Sequence, residues 1–152
     1  MNPVPINTSA VAGVALARVA NEMKMLMLKR SPEGYWSHVS GTIEDAETAP
    51  QAIVREFREE TGVVVAQLYS ADYIDQFYVI DKSCIMIVPV FVAMLEPDAR
   101  ISLNEEHVAY QWCSLPDAKA LAEFPNQRSM YDHVWHNFVE HEPSPLMRVG
   151  LR

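Results

Sequence analysis

The chain has 152 residues, 49% of them hydrophobic and 21% charged, and its formal net charge at pH 7 is −8. This length and composition predict a single globular domain over residues 1–152 and exclude a disordered or fibrous protein. The acidic balance, with a pI near 5.0, argues against a nucleic-acid polymer or an anionic membrane surface as the main partner.

The first residues of the chain lack the basic start of a signal peptide, and the apolar stretch that follows is too short for a membrane span, so we expect a cytoplasmic protein.

The N-terminal region predicts a β-hairpin. Two apolar segments, Ala10–Val19 and residues 24–29, flank the polar turn sequence ANE and are typical of paired strands. A helix over Ala49–Thr61 is expected next in the chain.

The rest of the chain predicts a mixed sheet flanked by helices. The expected elements are strands at residues 63–68, 72–80, 84–95 and 109–112, and helices at residues 115–124 and 126–140. Pro89 lies inside the apolar third strand and cannot donate to a ladder, so a bulge or an unpaired side is expected there. The tail after Glu140 is expected to be a loop.

The isolated Cys84 and Cys113 predict small core residues, with neither a disulfide framework nor a paired metal-ligand spacing.

The helix prediction over Ala49–Thr61 rests on signals at both ends. Thr48 and Gln51 have the spacing of a capping box, in which each side chain satisfies a backbone N–H at the start of the helix. Pro50 is tolerated in the first turn, and Gly62 is placed to end the helix. The sequence therefore predicts a helix that carries its glutamates in its C-terminal half.

Three of these glutamates, Glu56, Glu59 and Glu60, fall on one face of the helix beside its apolar face. One interpretation is a solvated surface on which Arg55 pairs with Glu59, which is worth only a few tenths of a kcal/mol. Three convergent carboxylates near the negative end of the helix dipole repel one another, however, unless a cation compensates them. Oxygen ligands suit a hard ion such as Mg²⁺, which keeps several waters and recruits substrate phosphates.

The same stretch matches a known motif, the Nudix box, G-x5-E-x7-R-E-U-x-E-E-x-G-U, in which U is a bulky apolar residue. The matching residues are Gly41, Glu47, Arg55, Glu56, Phe57, Glu59, Glu60, Gly62 and Val63. The chain is therefore identified as a member of the Nudix hydrolase family. It departs from the usual pattern in having an aromatic Phe57 and a Ser-Gly start in place of Pro-Gly-Gly. The flanking segments LMLKR, YWSHVSGTIEDAETAPQA and NEEHVAYQW resemble the bacterial dihydroneopterin triphosphate and dATP pyrophosphohydrolase branch.

This resemblance implies a fold and an activity. The fold would be α/β, a Nudix-type α/β/α sandwich with a mixed β-sheet between helices. The activity would be Mg²⁺-dependent cleavage of a small phosphoanhydride, either a dATP-like nucleoside triphosphate or dihydroneopterin triphosphate, to the monophosphate and pyrophosphate, with Mn²⁺ able to substitute. Two alternatives stay open: a hydrolase of another nucleoside diphosphate derivative, and a non-catalytic Nudix-like binding or regulatory module. Whether two chains associate as a homodimer also stays open.

The resemblance further implies roles for residues of the box. The metal ligands would be Gly41, through its carbonyl, together with Glu56, Glu59 and Glu60. Glu59 would bind a further metal directly or through water. Arg55 would hold the carboxylates in place, and Glu47 would anchor the preceding loop to the helix by pairing with Arg55.

Outside the box, the family often places another acid on a later loop. The stretch NEEHVAYQW offers Glu105 and Glu106, and we favour Glu106 as a further metal ligand because it lies beside His107. An exposed acidic turn is the alternative interpretation. The implied catalytic set is Arg55, Glu59 and Glu106. The expected substrate contacts are Arg30, where a strand ends, Ser40 and Asn126.

Two other features suggest different chemistry. His133 and His136 lie three residues apart on a predicted helix, a spacing that can bind a transition metal, but the sequence signals no third ligand. Aromatic side chains could stack on a base, although lone aromatics more often pack in the core or at its rim. They are Tyr35, Trp36, Trp112 and Trp135. The sequence contains no Walker loop, nucleophile elbow or dinucleotide fingerprint.

Overall fold

The structure, a computed structural model, describes residues 1–151. Across these residues, nine strands form one sheet that carries helices on both faces. The strands are β1 (Ile6–Asn7), β2 (Ala10–Val19), β3 (Glu22–Arg30), β4 (Trp36–Ser37), β5 (Val39–Thr42), β6 (Gln67–Val79), β7 (Cys84–Met94), β8 (His107–Cys113) and β9 (Arg148–Val149). The helices are α1 (Ala49–Thr61), α2 (Leu115–Leu121) and α3 (Pro125–Phe138), with a 3₁₀ turn at Pro145–Met147. No helix within residues 1–151 is long and apolar enough to cross a membrane.

The sheet is mixed, as predicted. Its main strand order is β4-β3-β2-β7-β6-β9, with β2 antiparallel to β3 and parallel to β7. β5 pairs with the first half of β2, and β8 pairs with β3. The expected hairpin is confirmed, because Val19 lies opposite Glu22 across a two-residue turn. Both turn residues, Ala20 and Asn21, have positive φ, as the tightest hairpin turns require.

Alternating strand side chains build a separate hydrophobic core on each face of the sheet. Leu28 belongs to the core beneath α1, with Ile53 and Phe57. Met27, one residue earlier in β3, belongs to the core that contains Tyr131 of α3. We call these two sides of the sheet the α1 face and the α3 face. Helices thus cover both faces, which confirms the α/β/α sandwich.

The ends of α1 confirm the capping signals in the sequence. The Thr48 hydroxyl accepts a hydrogen bond from the Gln51 N–H at 3.3 Å, and the Gln51 side chain accepts one from the Thr48 N–H at 2.9 Å. Gly62 ends the helix at a φ of 74°, in the left-handed region where glycine costs least. Its N–H donates to the Arg58 carbonyl oxygen at 2.9 Å.

The strand prediction at residues 63–68 is wrong in its extent. The chain leaves α1 through the left-handed turn at Gly62, and strand pairing starts only at Gln67. From there it runs without a break through the strand expected at residues 72–80, so the two predicted strands form the single β6. Ser102 helps to hold the turn, because its N–H donates to the Thr61 carbonyl oxygen at 2.8 Å.

The irregularity expected near Pro89 is confirmed, and it lies mainly in the neighbouring strand. Ser70 pairs with Phe91 and Ile74 pairs with Pro89, so three residues of β6 stand opposite one residue of β7. The extra residues form a bulge, which makes room for a proline without a backbone donor.

The loop prediction for the C-terminal tail is wrong at Arg148–Val149. These residues form β9, which pairs with Leu68 and Tyr69 of β6. The Ser144 hydroxyl accepts from the Leu146 N–H and starts the 3₁₀ turn that leads into this strand. The partner strand lies far away in the sequence, so local composition gives no sign of the pairing. Among the described residues the expected helices are present, although α2 is shorter than its predicted segment, and the two cysteines are buried and free.

Candidate active site

The C-terminal half of α1 presents two buried carboxyl groups and one exposed one. Glu56 and Glu60 lie one turn apart, with only 9% and 1% of their surfaces exposed. Glu59 has 53% of its side chain exposed. Because burial of a charged group is costly unless a partner neutralises it, the surroundings of Glu56 and Glu60 decide what this site can do.

Gly41, near the end of β5, allows Glu56 to approach the sheet. A Cβ at this position would overlap the Glu56 carboxyl group, so a residue with a side chain would displace that carboxyl group from its present place. The position of Gly41 is fixed by strand pairing, in which it lies opposite Val11 of β2. The close approach makes the backbone of Gly41 part of the same site as the Glu56 carboxyl.

Arg55 connects α1 to the loop that precedes it. Its Nε and Nη2 atoms donate to the two carboxylate oxygens of Glu47 at 2.7 and 2.9 Å, a bidentate pair. Its Nη1 atom donates to Glu56 Oε1 at 2.8 Å, and Nη2 also donates to the Thr42 carbonyl oxygen at 2.8 Å. The hydrogen bond to Arg55 lowers the pKa of Glu47, and the hydrogen bond to Glu47 raises the pKa of Arg55. The contact between Arg55 and Glu59, at 3.3 Å, is longer than these bonds. Arg55 therefore fixes the loop and orients the Glu56 carboxylate.

Glu60 is buried without a neutralising contact. Burial first, and then the carboxyl groups of Glu56 and Glu106, raise the pKa of Glu60 to about 9. Neither of its carboxylate oxygens has a hydrogen-bond partner within the described chain. A divalent cation among these carboxyl groups would supply the missing partner and favour their ionised forms. The buried, unpartnered oxygens of Glu60 thus fit a divalent metal.

The loop before β8 brings two more side chains to Glu60. Ligand atoms of Glu60, Glu106 and His107 all lie within 4.8 Å of one another. His107 Nε2 is 3.5 Å from Glu60 Oε1, but burial lowers the pKa of His107, so we treat the imidazole as neutral rather than as an ion-pair partner. The sequence prediction favoured Glu106, and the structure brings Glu106 rather than Glu105 into this group. His107 was not predicted as a functional residue, although a histidine directly after that acid was visible.

Arg30 lies near these acids. It pairs with His107 across β3 and β8, so both side chains belong to the α1 face, and its charge opposes the rise in the pKa of Glu60. Its guanidinium lies 5.8 Å from the centre of the Tyr35 ring, and its Nε is 3.7 Å from a carboxylate oxygen of Glu33. That Nε is buried and has no hydrogen-bond partner among residues 1–151.

The other two expected substrate contacts lie on the opposite side of the sheet. Ser40 stands between Val39 and Gly41, which both face α1, so strand alternation directs Ser40 to the α3 face. The Asn126 side chain, in the first turn of α3, donates to the Gln76 carbonyl oxygen at 2.7 Å. The structure therefore does not bring these two residues to the α1 carboxylates.

The alternative histidine pair forms separate contacts. His133 Nε2 lies 2.7 Å from the Ala71 carbonyl oxygen, and His136 Nδ1 lies 2.9 Å from Glu140 Oε2. In the part of the chain that the structure describes, neither histidine belongs to a group of three metal-ligating side chains.

A groove of about 560 Å³ between α1 and the C-terminal tail is lined by Arg55 and other residues, but none of the α1 glutamates line it. The clustered carboxyl groups, which are the side chains suited to hold a metal, therefore lie outside this groove.

Comparison with known proteins agrees with the geometry. The family model for the NUDIX domain matches residues 9–134. The chain is 32% identical over 112 residues to the dihydroneopterin triphosphate diphosphatase of Escherichia coli strain K12, and this similarity covers 66% of the chain and 75% of that protein. It is 33% identical over 130 residues to the octanoyltransferase of Myxococcus xanthus, which covers 83% of the chain but only 36% of the octanoyltransferase.

Among solved structures, the chain is similar to the Caenorhabditis elegans Ap4A hydrolase in a binary complex. The TM-score is 0.75 at 25% sequence identity, and the similarity covers 86% of this chain and 96% of the other. The match to the family model spans most of the chain and includes the whole box from Gly41 to Val63 as well as the acid of the later loop. The chain therefore belongs to the Nudix hydrolase family.

Proposed function

We propose that the chain is a Mg²⁺-dependent pyrophosphohydrolase that cleaves a dATP-like nucleoside triphosphate or dihydroneopterin triphosphate to the monophosphate and pyrophosphate. The observation that carries this proposal is the buried Glu60 carboxyl group, which has no hydrogen-bond partner in the described chain and lies beside Glu56 and Glu106. A purely structural helix face gives no reason to bury several acids together, whereas a metal site does.

The proposed metal ligands are Glu56, Glu59, Glu60, Glu106 and the Gly41 carbonyl. When bound, the metal would offset the negative charge of the substrate phosphates and lower the pKa of an attacking water. Mg²⁺ is the proposed ion because these donors are all oxygen atoms, and Mn²⁺ accepts similar ligands. In this assignment the carboxyl groups are buried and yet ionised, because the bound cation stabilises their negative charge. Acids in an ordinary hydrophobic core have no such partner.

The side chains around the metal have distinct proposed roles. Arg55 is a positioning residue, because its bonds to Glu47 and Glu56 hold the loop and one ligand in fixed relation. Glu59 is exposed and only loosely held, so it has the freedom to accept a proton from the attacking water. Arg30, at the end of β3, would bind a substrate phosphate through the guanidinium that remains incompletely paired.

The substrate class rests on similarity as well as on charge. The E. coli relative is a dihydroneopterin triphosphate diphosphatase. The predicted substrate contacts Ser40 and Asn126 lie on the α3 face, away from the α1 carboxylates. A second candidate is hydrolysis of a dinucleoside polyphosphate, favoured by the similarity in fold to the C. elegans Ap4A hydrolase. The net charge of −8 disfavours the approach of any of these anionic substrates, and a bound cation would offset part of that repulsion.

One substrate screen tests the proposal. Purified protein with Mg²⁺ is incubated with the dNTPs, dihydroneopterin triphosphate, Ap4A and nucleoside diphosphate derivatives, and the products are identified by phosphorus NMR. We expect pyrophosphate from a triphosphate, with turnover lost in excess chelator and reduced by about 100-fold or more in the Glu60→Gln variant. Full activity in chelator would contradict the metal site. Binding of these compounds without turnover would favour the non-catalytic module instead.

A further inference from the structure

The pairing of β8 with β3 contains an irregularity at the active site. Lys29 lies opposite Ala109 and the next residue, Arg30, lies opposite His107, so Val108 has no partner in β3. Its side chain is 62% exposed. One extra residue in one strand is a β-bulge, a feature that changes the face to which the following side chains point.

The bulge changes the face to which His107 belongs. Cys113 lies opposite Met25 in the core of the α3 face, and without an extra residue strict alternation would give every second residue of β8, His107 included, the same face. With Val108 bulged, His107 instead pairs with Arg30, on the α1 face. The irregularity therefore brings the imidazole beside Glu60.

The surroundings of His107 leave its two nitrogens unpaired. The residue is only 4% exposed, and neither ring nitrogen has a hydrogen-bond partner in residues 1–151. A buried histidine usually satisfies both nitrogens, because an unpaired buried polar group costs free energy. The nearest carboxylate atom across the site is Glu60 Oε1, at 3.5 Å from Nε2, and it is also without a hydrogen bond in the described chain.

The geometry points to His107 as a nitrogen ligand of a divalent metal site that it shares with Glu60 and Glu106. This inference rests on the metal-dependent function proposed above and adds a donor of a different type. Ligand atoms of the three side chains lie within 4.8 Å of one another, which is a separation that one ion can bridge with small side-chain movements. Two carboxylates balance the charge of a divalent ion, and the neutral imidazole adds a lone pair without adding charge.

A nitrogen donor changes which metals the site prefers. Mg²⁺ takes oxygen ligands almost exclusively, whereas Mn²⁺ and especially Co²⁺ accept imidazole nitrogen together with carboxylate oxygen. The site therefore binds Mn²⁺ and Co²⁺ more tightly than Mg²⁺, by a margin that depends on His107. This chemistry therefore favours divalent ions of the first transition row, such as Mn²⁺ and Co²⁺.

Electron spin-echo envelope modulation of the Mn²⁺-loaded chain tests the inference, because the method detects nitrogen nuclei bound to the ion. We expect a ¹⁴N coupling in the wild type, its loss in His107→Gln, and its retention in His136→Gln, which alters an exposed histidine of α3. Calorimetry should give Mn²⁺ binding at least about tenfold weaker in His107→Gln, with a smaller change for Mg²⁺. Mn²⁺ binding without any ¹⁴N coupling in the wild type would overturn the role of His107, as would equal Mn²⁺ affinity in the variant.

A second variant keeps the test informative if His107→Gln does not fold. Replacing His133, His136 and His141 together leaves His107 and the buried His38, whose Nδ1 lies 2.9 Å from the Tyr131 hydroxyl on the α3 face. The ¹⁴N coupling must persist in this triple variant, and its loss would contradict the assignment. The proposed hydrolase function fails separately, through absence of metal binding and turnover in the wild type.

Discussion

Glu60 is the residue in which burial and function conflict most directly. The side chain is 1% exposed, and neither carboxylate oxygen is hydrogen-bonded within the described chain. Its carboxyl group is in the neighbourhood of Glu56 and Glu106, which both disfavour its ionisation. A carboxyl group in this position is easily protonated in the metal-free protein and is a good ligand only when a cation displaces the proton.

This conflict predicts a pH dependence of stability. The pKa of Glu60 is about 9 in the folded chain, against an ordinary value of 4.5, so the folded state holds its proton more tightly than the unfolded state. The stabilisation from that proton is complete below about pH 4.5 and is lost as the pH rises towards 9. In excess chelator, the free energy of unfolding of Glu60→Gln minus that of the wild type should therefore increase from pH 5 to pH 9, as measured by urea titration. A difference that stays constant for Glu60→Gln would refute the shifted pKa.

The two acids before β8 give a matched pair of variants. Glu106 belongs to the group with Glu60 and His107, whereas its neighbour Glu105 does not. We expect Glu106→Gln to reduce kcat by roughly 100-fold, the scale of losing one electrostatic stabiliser, and to change the melting temperature little. Glu105→Gln should retain near-normal turnover. Steady-state kinetics on both proteins decide the matter, and the reverse pattern would move the assignment by one residue.

Capping at the two ends of α1, together with Arg55, fixes the position of the proposed metal ligands on this helix. The hydroxyl of Thr48 and the side chain of Gln51 close the N-terminus, and Gly62 closes the other end. Thr48→Ala removes one cap and should lower the free energy of unfolding by about 1 kcal/mol. Thr48→Ser keeps the hydroxyl and should lose less. Denaturant unfolding of the three proteins measures this, and equal stability of all three would show that the capping box contributes nothing.

Local signals made α1 predictable from the sequence, since caps, apolar spacing and acids all lie within one short segment. Non-local pairing decided the elements that were predicted wrongly. β9 exists because the edge of β6 accepts it, and the bulge at Val108 depends on the register between β8 and β3. For this reason the sequence pointed to Glu106 but gave no means of knowing that His107 would share its site.

The whole molecule separates its candidate residues onto the two faces of one sheet. The proposed metal-binding acids and Arg30 belong to the α1 face, and Ser40 and Asn126 lie towards the α3 face. The chain carries a formal net charge of −8, which disfavours the approach of the proposed polyanionic substrate unless a cation offsets the carboxylates. The central claim is therefore that the buried carboxylates of α1 bind a divalent cation on which hydrolysis depends.

The most direct measurement of that claim is the melting temperature with and without Mg²⁺, taken beside the hydrolysis rate, for the wild type and Glu60→Gln. We predict that Mg²⁺ raises the melting temperature of the wild type, because a ligand that binds only the folded state stabilises it. Without metal, Glu60→Gln should melt at the same temperature as the wild type or slightly higher, since it removes a buried acid. With Mg²⁺ it should show no increase, and its turnover should fall by about 100-fold or more. Near-normal turnover together with an unchanged Mg²⁺ effect in Glu60→Gln would contradict the claim and make the glutamates a structural feature of the helix.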